Sequence, residues 1–488
     1  MKRSFFLFIG LILFSVYSQG QSPQGSLNCF TMVAGKDATV DGSVIIAHNE
    51  DDHGKNLVNW YRVPRRNHEH GETITLATGA EVPQVETTYG YIWLEMPGMK
   101  FADSYVNEHG VVIASNACAS REDNPELTDG GIGYWLRRLM AERAASAREA
   151  VEVAGQLIEQ YGYASSGRTY SVADHREAWV MSVVNGKHWV ARRVPDDKVM
   201  VIPNYYTIRQ VNLSNEAVFM GSHDLIDYAR QRGWYEPRKE GPFNFRKAYG
   251  HPGSLASDGN IPRKWRGLEL ITGRHFEMEE SFPFAVVPEK RLGAEDFMRV
   301  LADHYEGTEW DESQRYRNGE PHAHGVNSIC APHNQYGFVT QLRKDMPVDI
   351  GTVMWLAPRR PCIQPFVPWY LGMQDIPASF AQSDPRTALE NHFEAPENMH
   401  EAAPQHAFTR YARFANYVDN NYKDLFRSIH DFKSNTQQQM FREQGSVEKQ
   451  ALENYHSDKD QALEGLSEFT LRYLNKVKRF MQTFPAQE

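Results

Sequence analysis

From Asn28 to Asp51 the chain alternates apolar and polar residues around a turn, and no other segment restricts the fold as much. Cys29-Phe30-Thr31-Met32-Val33-Ala34-Gly35 is a β-rich run, Asp41-Gly42 marks a turn, and Ser43-Val44-Ile45-Ile46-Ala47-His48-Asn49 is a second run. Two such runs around a Gly/Asp turn predict an antiparallel hairpin. Pairing through that turn brings Asp51 back beside Cys29, 22 positions away.

Further strand signals follow. Tyr105–Asn107 and Val111–Asn116 read as strand, turn, strand, and Tyr170–Val184 with Trp189–Val194 as a hairpin around Asn185-Gly186. Others lie near Gly337–Leu342 and Val353–Ala357. The clearest helical period runs from Tyr134 to Tyr161, through Leu136, Leu139, Met140, Ala147, Ala150, Val151, Ala154, Leu157 and Ile158. Residues 206–320 are less regular and read as loops and lids. From about residue 400, Phe408, Tyr411, Phe414, Val418, Tyr422, Leu425, Phe426, Ile429 and Phe432 share one helical face, and Leu452 to Val477 suggest a further long helix or pair. That aromatic stripe is expected to be core.

The N-terminus carries its own signal. Lys2 and Arg3 precede an apolar run from Phe5 to Tyr17, too short for a bilayer that needs roughly 20 residues. With small Ser18 and Gly20 before the predicted cut, 1–20 reads as a signal peptide, so export to the periplasm or medium is expected. No later stretch is apolar enough to insert in a membrane once this is removed. Lipidation at Cys29 is the competing targeting reading, but Asn28 directly before it is not the small residue that lipidation requires. A net charge of −10 without a long Lys/Arg block argues against nucleic-acid binding. Four cysteines in 488 residues cannot scaffold the fold.

Searches for familiar chemistry return little. His400-Glu401 and His406 are spaced wrongly for a His-Glu-x-x-His zinc helix, and neither a Gly-x-Ser-x-Gly elbow nor a phosphate loop is present. His322-Ala323-His324 and the His48–His53 stretch lack a complete ligand set, so no metal and no cofactor is expected. Cys29 stands apart. If residues 1–28 are removed, it carries a thiol and a free α-amine with an ordinary pKa of roughly 7.7 to 8.0, a nucleophile with its own general base. Asp51 could orient the ammonium form. The other reading of the residue is a buried strand cysteine.

Asn28-Cys29-Phe30-Thr31 with Val33-Ala34-Gly35, Asp41-Gly42-Ser43 and Ala47-His48-Asn49-Glu50-Asp51 resembles the opening of peptidase family C69, the dipeptidase A family of N-terminal nucleophile (Ntn) hydrolases. Further matches keep the family's order: Glu142-Arg143-Ala144 to Ala150, Tyr161-Gly162-Tyr163, Ala173-Asp174, Glu177-Ala178-Trp179, Val194-Pro195-Asp196-Asp197, Pro262-Arg263-Lys264-Trp265, Pro347–Gly351 and Val367-Pro368-Trp369-Tyr370. The resemblance spans about residues 29–375.

It implies an α+β fold, the four-layer αββα sandwich, over 29–399 with a C-terminal helical section over 400–488, and a propeptide, 21–28, cut off before Cys29. It implies Cys29 as nucleophile, Asp51 beside its amine, Asn204 and Asn116 near the developing oxyanion, and Arg263 as a late active-site arginine. His48 departs from the arginine usual three positions before Asp51, which bears on substrate preference or working pH. The implied activity is an exported cysteine-type dipeptidase acting on short peptides. An amidase on bile-salt or penicillin-type acyl amides is the nearest alternative. A metal-dependent hydrolase using His48, Asp51 and His53, and a non-catalytic surface protein, stand further off. If Cys29 stays a free thiol, Cys118, Cys330 and Cys362 allow at most one internal disulfide.

Overall fold

A computed structural model describes residues 29–485, apart from 53–55, 101, 279–280, 312, 314–318, 320, 323–326 and 375. The expected signal peptide and propeptide, together with His53 and His324, lie outside the described residues.

The predicted hairpin forms. Strand β1 (Phe30–Ala34) pairs antiparallel with β2 (Val44–Asp51), both buried along their whole length. Full burial on both faces explains their nearly continuous apolar text, since each strand lies between a second sheet and covering helices. The other principal strands are β3 (Asn59–Val63), β4 (Tyr91–Glu95), β5 (Ser104–Asn107), β6 (Val112–Ala117), β7 (Arg168–Ala173), β8 (Ala178–Val183), β9 (Trp189–Arg193), β10 (Val199–Ile202), β11 (Phe219–Gly221), β12 (Asn334–Leu342), β13 (Thr352–Pro358) and β14 (Val367–Tyr370). One six-stranded sheet has the order β10-β1-β2-β12-β13-β14, and one eight-stranded sheet the order β11-β9-β8-β7-β6-β5-β4-β3. All pairs in both are antiparallel.

The sheets face one another where β2 meets β7 and β1 meets β6. Helices α1 (Trp135–Arg143) and α2 (Ala147–Tyr161) cover the eight-stranded sheet. Helices α3 (Asn260–Thr272) and α4 (Ala294–Leu301) cover the six-stranded one. The result is the expected αββα sandwich. It continues into α5 (Ala407–Asn420), α6 (Tyr422–Asn454) and α7 (Lys459–Met481). Phe408, Met440, Leu466, Phe469 and Tyr473 from these helices join the core of the six-stranded sheet, so the C-terminal section packs on the body as expected. Among the described residues no helix is long and apolar enough to cross a membrane.

Three departures from the sequence reading have local causes. The single helical period over 134–161 is two helices, because Ser146 caps α2 by accepting from the Glu149 amide at 3.2 Å and so starts a new helix. The run from Tyr170 to Val184 is two strands, broken where the Asp174 carboxylate accepts the Arg176 and Glu177 amides at 2.7 and 3.1 Å and turns the chain. Residues 206–320 also hold more helix than expected. Buried Arg263 and Lys264 sit inside α3 and interrupt the apolar period that would have revealed it.

Candidate active site

The site assembles where β1 begins. The register Phe30↔Asn49 and Thr31↔His48 places Glu50, one step further, opposite Cys29. The Cys29 thiol accordingly donates to Glu50 Oε1 at 3.2 Å, while Asp51 offers it only a backbone oxygen at 3.9 Å. Sequence pairing alone puts Asp51 in that position. The difference is one residue of register, which in a strand exchanges the side chain that faces a given neighbour.

The Asp51 carboxylate turns towards β12 instead. A bulge between Asn334 and Tyr336 sets Asn334 opposite Asp51, and the Asn334 amide donates to Asp51 Oδ1. Among the described residues Asp51 Oδ2 is buried without a hydrogen-bond partner. Burial pushes this carboxyl up to about 7, against the pull of the Arg263 guanidinium and with the added push of Glu50. Burial also pushes the Cys29 thiol well up, and the charges of Glu50 and Asp51 add to that.

The carbonyl of Cys29 is gripped from two sides. Asn116, on β6 of the facing sheet, donates through Nδ2 to Cys29 O at 2.9 Å and to Ile202 O at 3.1 Å. Arg263 donates through Nη1 to Cys29 O at 3.2 Å. Its Nη2 reaches Asn204 Oδ1 at 2.9 Å and Asn260 Oδ1 at 2.8 Å, and its Nε donates to Gly259 O at 2.9 Å. Asn204 donates through Nδ2 to Ala117 O at 3.0 Å, and it is partly exposed where Asn116 and Arg263 are fully buried. Thus Cys29, Asp51, Asn116, Asn204 and Arg263, named from sequence, come together at one point. Both hydrogens of the Asn116 amide are already committed to backbone carbonyls, so this side chain holds the nucleophile's own peptide group.

His48 completes a ring of hydrogen bonds. Thr31 Oγ1 donates to Asn116 Oδ1 at 2.6 Å, because that oxygen can only accept. His48 Nδ1, 2.7 Å from the same hydroxyl, must then be the donor. The other nitrogen, Nε2, lies 3.1 Å from Glu50 Oε2, and one proton shared between them satisfies both. The ring runs Cys29 thiol, Glu50, His48, Thr31, Asn116 and back to the Cys29 carbonyl. Both nitrogens of His48 are therefore engaged within the protein, which leaves neither for a metal beside Asp51.

The sequence motif contains Glu50 without assigning it a role, and it gives no sign of Thr31, Asn260 or Asn334 as site residues. Asn260 stands two residues before the Pro262-Arg263-Lys264-Trp265 motif, close enough for that motif to have pointed to it. For Asn334 no local signal exists, since it meets Asp51 only through the pairing of β2 with β12.

A buried cysteine opening a strand of an αββα sandwich, with carboxylates, amides and a guanidinium closed around it, is the arrangement of an Ntn-type hydrolase. The chain belongs to peptidase family C69, whose model matches residues 28–423. It is similar to a probable dipeptidase from Salmonella dublin, 28% identical over 71% of this chain and 81% of that protein. A probable dipeptidase from Latilactobacillus sakei is 26% identical over 79% of this chain and 82% of that protein. Among solved structures, a variant of conjugated bile acid hydrolase from Clostridium perfringens superposes with a TM-score of 0.31 and 11% identity, covering 71% of this chain and 94% of that one. Membership of the family makes the chain a hydrolase of the peptidase class.

Proposed function

We propose that this chain is an exported cysteine-type dipeptidase, with Cys29 as nucleophile once residues 1–28 are cut away. The observation that carries the reading is the buried Asp51 Oδ2, without a hydrogen-bond partner among the described residues, on a residue whose backbone oxygen lies 3.9 Å from the Cys29 thiol. A buried carboxylate oxygen without a donor is costly, and an α-ammonium on a new N-terminal Cys29 would satisfy it. The names of the similar proteins support dipeptides as substrates, and the charged, apolar and small residues at 2–20 support export.

In the uncut chain Glu50 is the group placed to accept the thiol proton as sulfur attacks the Asn28 carbonyl. The resulting thioester is hydrolysed, and the amine freed on Cys29 becomes the base for the next reaction. With a peptide bound, that amine takes the thiol proton, the thiolate forms a thioester with the N-terminal acyl part, and the leaving amine receives the proton. Water then releases the acyl group. Asn116 and Arg263 hold the peptide group of the nucleophile still, and partly exposed Asn204 is the donor for the developing oxyanion.

Intact-mass analysis of the purified protein is expected to show a chain beginning at Cys29. Cys29→Ala should retain the preceding residues and lose dipeptide hydrolysis by at least about a thousand-fold, as expected when a nucleophile is removed. An active protein that still begins at Gln21, or full activity in the alanine variant, would overturn the mechanism. Greater turnover of acyl-amino-acid conjugates than of a dipeptide panel would assign the amidase reading instead. Finding the active enzyme only in the cytoplasmic fraction would remove the export claim.

A further inference from the structure

Far from Cys29 in sequence, two cysteines and two histidines from separate loops around β12 and β13 converge. His304 follows α4, His322 lies in the long connection after it, Cys330 precedes β12, and Cys362 follows β13. One potential ligand atom from each of the four lies within 4.8 Å of all the others. We propose that these four residues form a structural zinc site of the Cys2His2 type.

The hydrogen bonds of the histidines turn both Nε2 atoms towards one point. His304 Nδ1 lies 2.9 Å from Glu306 Oε1, and His322 Nδ1 lies 3.3 Å from Asp419 Oδ1. A carboxylate can only accept, so each Nδ1 carries a hydrogen and each ring turns its Nε2 inward. Those two Nε2 atoms face one another at 3.1 Å. That contact needs a positive centre between the two nitrogens, supplied by a shared proton or by a metal ion. A carboxylate on the outer nitrogen of each histidine is also the arrangement that fixes a zinc-bound imidazole.

The sulfur atoms fit the same centre. Cys362 Sγ is 3.7 Å and Cys330 Sγ 3.9 Å from His322 Nε2. A tetrahedral ion with Zn–N of about 2.05 Å and Zn–S of about 2.3 Å requires N···N near ~3.3 Å and N···S near ~3.6 Å. The three observed separations lie within about 0.3 Å of the ideal values, and the other three are no longer than 4.8 Å. Both cysteines are free thiols, and thiolate with imidazole is the donor set that selects zinc over the harder divalent ions. Binding would release two thiol protons and leave a neutral core of two thiolates and one dication, suited to a buried position. Around it, Lys433 Nζ donates to Pro361 O at 2.6 Å and to Cys362 O at 3.3 Å, and Arg360 pairs with Asp419. With four protein ligands no position is left for water or substrate, so the role is structural. The site would tie the connection between α4 and β12 to the β13 end and, through Asp419, to α5.

Periodicity and motif searches could not find it. The cysteines are 32 positions apart and the histidines 18, with none of the short spacings of zinc fingers.

The test uses intact protein purified from zinc-supplemented cells without a chelating column. Elemental analysis is expected to give one zinc per chain, unchanged in Cys118→Ser and lowered at least about ten-fold in Cys330→Ser/Cys362→Ser. A second measurement needs no variant. Stripping the wild-type protein with a chelator should lower its Tm by about 5 °C or more and expose two further thiols to alkylation, and zinc chloride should reverse both. The proposal is overturned by a Cys330–Cys362 disulfide in a non-reducing digest, by wild-type protein that takes up no zinc from zinc chloride, or by zinc retained in the double variant.

Discussion

Asp51 shows how a single side chain links stability to processing in this molecule. Its ordinary value is 3.8, and burial pushes it up to about 7 in the uncut chain. Below about pH 4 the carboxyl is protonated in both folded and unfolded states and contributes nothing. Between about 4 and 7 the unfolded chain ionises while the folded chain holds its proton, so the folded state is progressively disfavoured as pH rises. In a Cys29→Ala background, which keeps the chain uncut, Asp51→Asn should therefore gain stability over its parent between pH 5 and pH 7. Urea denaturation at the two values measures the gap, and parallel stabilities would contradict the assignment. In the cut enzyme an ammonium beside Oδ2 would favour the carboxylate and flatten the same dependence. The residue types in this cluster were legible from the text around Cys29, Asn204 and Arg263. Which carboxylate meets the thiol was not, because one step of register decides it.

At the scale of elements, the site depends on how closely α3 approaches the six-stranded sheet. Gly267 makes this approach possible: a Cβ there would lie 2.6 Å from the Phe30 ring and 3.0 Å from Val201. Arg263 is one helical turn earlier on the same face and takes its position from that contact. Gly267→Ala should cost about 1–3 kcal/mol by overpacking and should also reduce kcat more than it changes KM. Thermal denaturation and steady-state kinetics check the two effects, and an unchanged kcat would show that Arg263 is held by its hydrogen bonds alone. The strands of the opening hairpin were readable because alternation and turn chemistry are local. α3 was hidden because it buries Arg263 and Lys264, and a buried charge looks like a surface position to any reading of hydrophobic period.

On the scale of the whole molecule, α6 and α7 belong to the body although the family match ends at 423. Phe441 packs on Trp355 with ring centroids 4.8 Å apart, Thr470 donates to Pro368 O at 2.7 Å, and Arg343 on the loop after β12 makes a two-pronged pair with Glu448 at 2.6 and 2.8 Å. Ending the chain at 423 removes the cover from β13 and β14 and leaves Arg343 without its buried partner, a loss of about 3–5 kcal/mol for that pair alone. The truncated chain should lose its cooperative unfolding transition in circular dichroism and aggregate on purification. A sharp transition would make the two helices dispensable.

The text of the chain determined the elements whose signals are local, the identity of the nucleophile candidate and, through ordered motifs, the family. Those depend on turn chemistry, period and residue type, which neighbours in sequence carry. Tertiary structure decided that Glu50 faces the thiol, that Asn334 meets Asp51 across a bulge, and that one potential ligand atom each of His304, His322, Cys330 and Cys362 comes within 4.8 Å of the others. Each of these is set by the register between strands or by where separate loops end in space. Such distances follow from packing the two sheets and their helices together, and no stretch of sequence encodes them locally.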